Sequence, residues 1–181
     1  MELIKNFKDT SIFKKIFLAI VATIILAVSS KIKIPFYPVP MTMQTFVVLL
    51  IGVTLGWKLG LFSVSLYLFE GILGLPVFAG TPEKGVGIVY FFGPTMGYLV
   101  GFLVAVFLSG YFSFKDSFIL NFLKLIISVS SIYLFGILWL VKFTGWENVF
   151  AVGAQPFLLA EVFKVLILAI LLPKLIKFRK F

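Results

Sequence analysis

The sequence predicts an all-α membrane protein: six transmembrane helices in one compact bundle over residues 1–181, with the N- and C-termini cytoplasmic. Hydrophobic residues make up 61% and aromatics 18% of the 181 residues, and mean hydropathy is +1.17, against roughly 45–50% apolar content in a soluble domain. Apolar runs near the ~20 residues that cross ~30 Å of hydrocarbon recur along the chain, at about 14–30, 41–57, 59–73, 94–112, 118–141 and 156–173. Basic residues alternate in density between these runs. With the N-terminus cytoplasmic, that side carries ten: Lys5, Lys8, Lys14, Lys15, Lys58, Lys115, Lys174, Lys177, Arg179 and Lys180. The other side carries four: Lys31, Lys33, Lys84 and Lys142. That bias orients the chain and calls for an even number of spans. The expected location is therefore the cell membrane, crossed several times, with the lipid bilayer as surroundings.

Composition also excludes function classes. The chain has no cysteine and no histidine, which removes disulfides, thiolate nucleophiles and the commonest metal ligand; no metal site is expected. The net charge of +9 is distributed as topology signals, not as a basic patch interleaved with polar groups, so no nucleic acid is expected. Seven carboxylates without histidine form no acid/base or nucleophile constellation, and no enzyme is predicted. The stretch Gly80-Thr81-Pro82-Glu83-Lys84-Gly85-Val86-Gly87 has phosphate-loop glycines without the Lys-Ser/Thr that must follow, so the chain itself does not hydrolyse ATP.

In the first span, Lys14-Lys15, the apolar stretch to Val28 and Ala27-Val28-Ser29 imitate a secretory signal. Removing it leaves five spans and spoils the charge asymmetry, so it is read as a span. Its Ala19, Thr23 and Ala27 form a four-residue small stripe that lets another helix approach closely, in a partner or within the chain. Ahead of the second span, Pro35, Pro38 and Pro40 hold the backbone extended and deliver Thr42, Gln44 and Thr45 into its top. Gly52, Gly56 and Gly60 surround the turn to the third span. The connection from Glu70 to Thr95 is long for a compact domain; its glycines allow close backbone approach, and Phe78, Tyr90, Phe91 and Phe92 offer a flat apolar wall, which suits a lid or an outer cap. In the fourth span Gly93, Gly97, Gly101, Ala105 and Ser109 keep strict four-residue register, a packing device. Lys124 sits near the cytoplasmic end of the fifth, where its ammonium can snorkel.

The sixth run is the most informative. Between Pro156 and Pro173 all residues from Phe157 to Leu172 are apolar except Glu161 and Lys164. A charge at a helix centre costs about 2.5–3.5 kcal/mol even on the lenient insertion scale. Three residues apart, the two side chains leave nearly the same face and can share one polar pocket. They form either an interhelical clasp or a ligand site.

The blocks Pro38-Val39-Pro40-Met41-Thr42-Met43-Gln44-Thr45, Gly74-Leu75-Pro76-Val77-Phe78-Ala79-Gly80, Gly93-Pro94-Thr95-Met96-Gly97-Tyr98 and Pro156-Phe157-Leu158-Leu159-Ala160-Glu161-Val162-Phe163-Lys164 resemble, in order and across nearly the whole chain, the signatures of the BioY family, the biotin-specific S components of energy-coupling-factor (ECF) transporters. The resemblance implies a six-helix protein that captures biotin from outside. It also implies docking, through small residues of the first helix, on a coupling membrane subunit driven by a pair of ATPase subunits. Ala19, Thr23 and Ala27 match that docking feature. ATP would be used by those partners only, and no cofactor is implied. The chain departs from the family pattern at Glu161, where Asp is usual, and at Ala160 and Met96, where Gly is usual, and its Thr81–Gly85 stretch resembles the longer loop of one branch of the family. A carboxylate one methylene longer displaces its acceptor by about one bond length.

Biotin offers two ureido N–H donors, a ureido carbonyl, an apolar ring, a tail and a carboxylate, and a buried carboxylate and ammonium are complementary to it. Glu161 is expected to accept a ureido N–H and Lys164 to meet the adjacent polar oxygen, with Gln44 and Thr42 adding contacts. Phe78, Tyr90 and Tyr98 are expected as apolar wall and Gly80 as a close backbone approach. Two other readings stand beside this one: a proton-coupled secondary carrier relaying through Glu161, and a structural subunit in which the pair is a clasp. Another vitamin-sized ligand on the same scaffold is a narrower alternative.

Overall fold

The computed structural model describes residues 2–34, 41–83 and 85–179, with side chains described from residue 12 onward except at 33 and 34. Pro35, Pro38 and Pro40, and Lys84, lie outside the described residues. In chain order the elements are α1 (Glu2–Lys31), a minimal antiparallel pair β1 (Lys33–Ile34) and β2 (Met41–Thr42), α2 (Gln44–Ile72), a 3-10 turn (Gly87–Phe92), α3 (Met96–Tyr111), α4 (Phe118–Gly153) and α5 (Leu158–Leu175). Lys33 pairs with Thr42 and Ile34 with Met41, so the strands return the chain from the end of α1 to the start of α2.

Helices α2 and α4 are each two arms folded back at a glycine. Gly56 has φ 73° and ψ 172°, and Gly145 has φ 74° and ψ 164°, conformations that an L side chain rarely adopts. Across Gly56, a Cβ on Gly60 would lie 3.6 Å from the Cα of Gly52, and Gln44 Nε2 donates to Tyr67 Oη at 2.7 Å. In an unbroken helix at 1.5 Å per residue those pairs would be roughly 12 Å and 34 Å apart. The arms 44–55 and 57–72 are therefore antiparallel, matching the second and third apolar runs. At Gly145 the return arm 146–153 brings Gly153 against Leu140: a Cβ there would meet Leu140 Cδ2 at 2.7 Å. Residues 146–153 lie between the apolar runs 118–141 and 156–173.

The small-residue registers bring backbones together as expected for packing. A Cβ on Gly52 would meet Ser109 Oγ at 2.0 Å, and one on Gly101 would meet the Cα of Ile132 at 2.6 Å. The first contact joins α2 to α3 and the second joins α3 to α4. With few polar groups to drive association between apolar helices, such close van der Waals approach is the main adhesive.

The outward faces are apolar. On α5 the buried residues are Glu161, Lys164, Val165, Leu168, Ala169 and Leu172, a helical stripe, while Leu159, Val162, Phe163, Ile167 and Ile170 are exposed. Charge faces in and hydrocarbon faces out, the reverse of a soluble helix. Three helical stretches, Ile12–Lys31, Gln44–Ile72 and Phe118–Phe178, are long and apolar enough to cross a membrane.

On α1 the structure overturns one expectation. Ala19 is 0% and Thr23 2% exposed, and Ala27 is half-buried, so the stripe packs α1 onto its own chain. The exposed face of α1 is instead Phe13, Phe17, Ile20, Ile24 and Val28. Small residues give the closest approach, and the chain's own core takes that benefit before a partner can.

Candidate functional site

Where the start of α2, the 78–79 loop, the 3-10 turn, α3, α4 and α5 converge, they line a partly open cavity, the concave, mostly apolar setting in which small molecules bind. Thr42, Gln44, Thr45, Thr95 and Glu161 supply polar lining, and Phe78, Tyr90, Tyr98, Leu99, Phe102, Ile132, Tyr133 and Phe157 most of the apolar wall.

Glu161 is 4% exposed and Lys164 8%. Lys164 Nζ donates to Glu161 Oε1 at 2.7 Å, to the Thr42 carbonyl at 2.7 Å and to Thr45 Oγ1 at 3.1 Å. An ammonium has three hydrogens, so this one is saturated. Thr45 Oγ1 in turn donates to Glu161 Oε1 at 2.8 Å. The second carboxylate oxygen, Oε2, is buried with no hydrogen-bond partner among the described residues. A charged acceptor left this way is costly, and Glu161 is one of the residues that line the cavity.

Gln44 and the loop after α2 are joined through a tyrosine. Gln44 Nε2 donates to Tyr67 Oη, and Tyr67 Oη donates to the Val77 carbonyl at 2.9 Å. Thr42 Oγ1 donates to Gln44 Oε1 at 3.3 Å. Next along the loop, Phe78 is 1% exposed and stacks on Tyr90 with ring centroids 4.8 Å apart and planes at 28°, while Tyr67 meets it edge-on at 5.3 Å. Tyr90 Oη donates to the Ala79 carbonyl at 2.8 Å. Burial pushes the Tyr90 hydroxyl above its ordinary pKa, so it remains a donor. On the opposite wall Tyr98 Oη donates to the Gly153 carbonyl at 2.8 Å, anchored by the return arm that follows Gly145.

Of the residues expected from sequence, Glu161, Gln44, Thr42, Phe78, Tyr90 and Tyr98 line one cavity. Two do not. Lys164 stands behind Glu161, its donors consumed by Thr42, Thr45 and Glu161. Gly80 (φ 78°) serves a turn in which the Thr81 N–H donates to the Phe78 carbonyl at 3.3 Å, and it is off the cavity wall. Sequence reading missed Thr95, Tyr133 and Phe157 on the wall, and left Thr45 out of the site although it stands in the polar trio with Thr42 and Gln44. For Tyr133, in the middle of an apolar run, no local signal exists.

The chain matches the sequence model of the BioY family over residues 4–181. It is 36% identical over 151 residues, 83% of this chain and 89% of the relative, to a protein named "Probable biotin transporter BioY" from Pyrococcus horikoshii. To "Biotin transporter BioY2" from Lactococcus lactis it is 35% identical over 167 residues, 90% of both chains. A crystal structure described as that of the S-component for biotin from an ECF-type ABC transporter has the same fold, with TM-score 0.79 over 93% of each chain at 23% identity. With a family match spanning almost every residue and relatives above 30% identity along most of their length, the chain belongs to the BioY family.

Proposed function

We propose that this chain is the biotin-binding S component of an energy-coupling-factor type uptake transporter, taking biotin from the extracytoplasmic side. The observation that carries the reading is that Glu161, whose Oε2 has no hydrogen-bond partner among the described residues, lines a largely apolar cavity. A ureido N–H is a donor of the right kind for it, and the fused rings suit the Phe78, Tyr90 and Tyr98 surfaces. The relatives named as biotin transporters support the choice of vitamin. The role of Lys164 in this reading is to hold and aim Glu161 through Oε1, not to touch the ligand.

The same reading includes six crossings, formed by α1, the two arms of α2, α3, the first arm of α4 and α5, with both termini cytoplasmic. Coupling to a membrane subunit and ATPases is part of the proposal, and the chain binds no nucleotide itself. The exposed apolar face of α1, in place of the buried Ala19/Thr23/Ala27 stripe, is the surface such a partner would meet.

Equilibrium binding of labelled biotin to the detergent-purified protein tests this. Saturable binding by the parent, lost in Glu161→Ala and weakened in Lys164→Ala, is expected. Unchanged affinity in Glu161→Ala removes the site assignment, and no binding by the parent removes biotin.

A further inference from the structure

The last turn of α1 is bonded to the loop that carries Phe78. Lys31 Nζ donates to the Phe78 carbonyl at 3.0 Å, to the Thr81 carbonyl at 3.1 Å and to Thr81 Oγ1 at 3.0 Å. Its neighbour Ser30 is fully buried, and its Oγ donates to the Val77 carbonyl at 2.8 Å. Four oxygens between residues 77 and 81 are thus held from two consecutive residues at a helix end. The partners lie 47–50 residues away in sequence, so none of these bonds follows from local structure.

This loop contains no helix of its own and depends on such bonds for its shape. It places Phe78 and Ala79 on the cavity wall, and the Phe78 ring reaches back to α2, where a Cβ on Gly71 would meet its Cζ at 2.0 Å. Its backbone carbonyls take donors from three directions: Ser30 and Lys31 of α1, Tyr67 of α2 and Tyr90 of the 3-10 turn. Among these, Lys31 brings a full charge, and charge-assisted bonds are roughly twice as strong as neutral ones. This loop forms one wall of the cavity, and a ligand that leaves past that wall displaces it and opens its bonds to α1.

We infer that Lys31 is a positioning residue that latches the Val77–Thr81 loop over the cavity and sets the rate at which bound ligand escapes. It touches the loop carbonyls and the Thr81 hydroxyl and not the ligand. In sequence terms it counted merely as one of four lysines on the sparse side of the charge bias; here that lysine bridges α1 to the wall of the site.

The inference rests on the biotin reading for its ligand, so its test has a ligand-free arm. Hydrogen exchange of the free protein in detergent should show the 77–81 amides exchanging at least about tenfold faster in Lys31→Met than in the parent, with α3 and α5 unchanged, and Lys31→Arg restoring most of the protection. Stopped-flow kinetics with labelled biotin should show dissociation about tenfold faster in Lys31→Met with association not slowed, again rescued by Lys31→Arg. Loop exchange at the parent rate overturns the latch. So does dissociation within twofold of the parent, or a slowed association with unchanged dissociation, which would mark general damage to the site. If Lys31→Met does not fold, Thr81→Val removes the Oγ1 acceptor and is judged by the same criteria. Should the parent bind no biotin, the proposed function falls, while the exchange arm still decides the latch.

Discussion

Lys164 Nζ lies 2.7 Å from Oε1 of Glu161, one helical turn away on the same buried face, while Oε2 is buried without a hydrogen-bond partner among the described residues. The lysine therefore holds one oxygen of the carboxylate and not the other. In a hydrocarbon surrounding, this arrangement leaves no unpaired ammonium beside the cavity.

The pair should behave as a unit in stability. Lys164→Met strands a buried carboxylate and Glu161→Met a buried ammonium, each at a cost of about 3–5 kcal/mol. The double replacement Glu161→Met with Lys164→Leu strands neither and should melt well above either single variant in detergent. Additive losses across the cycle would mean that the two groups are not coupled.

Tyr98 can be moved into the cavity from behind. A Cβ on Gly136 would come within 2.3 Å of the Tyr98 ring, whose hydroxyl is held by the Gly153 carbonyl. Gly136→Ala should fold, tilt the ring into the ligand space and weaken biotin binding by about tenfold, equivalent to about 1.4 kcal/mol. Isothermal titration of the purified variant measures it, and parent-like affinity would take Tyr98 off the ligand's wall.

Two glycines should respond differently to alanine. At Gly101 the added carbon meets the Ile132 backbone at 2.6 Å, so α3 and α4 must separate, costing about 1–3 kcal/mol of overpacking. At Gly145 nothing lies within 4 Å and the penalty is torsional, from φ +74°, about 1–2 kcal/mol. Filling the Gly101 side further, as Val, should add to the loss. At Gly145, replacement by Asn, which tolerates this conformation better, should recover part of it. Thermal unfolding of the four variants checks both directions.

The absence of cysteine makes topology directly measurable. Lys115 and Lys142 are both exposed and lie at opposite ends of the 118–141 run. In intact cells a membrane-impermeant maleimide should label Lys142→Cys, and should label Lys115→Cys only after permeabilisation. The opposite pattern inverts the orientation read from the lysine and arginine bias.

Much of the site was legible because membrane burial makes polarity conspicuous. Glu161 and Lys164 stand out in an apolar run, and Thr42 and Gln44 at the head of another. Phe78, Tyr90 and Tyr98 were legible only as aromatics in or near glycine-rich connections. Tyr133 and Phe157 were not, since an aromatic in an apolar helix looks the same whether it faces lipid or ligand. The Ala19/Thr23/Ala27 stripe misled for a related reason: small residues announce close packing without naming the surface that packs.

By itself the sequence determined the membrane class, the apolar runs, the family blocks and the polar pair, because each is a property of local composition and period. Tertiary structure decided the rest. It folds α2 and α4 back at Gly56 and Gly145, turns the α1 stripe inward, saturates Lys164 with groups 119 and 122 residues away and ties Lys31 to the loop at the cavity. Those outcomes depend on which donors and acceptors meet in space, and hydrogen-bond satisfaction in a medium without water is a property of the assembled fold, not of any segment.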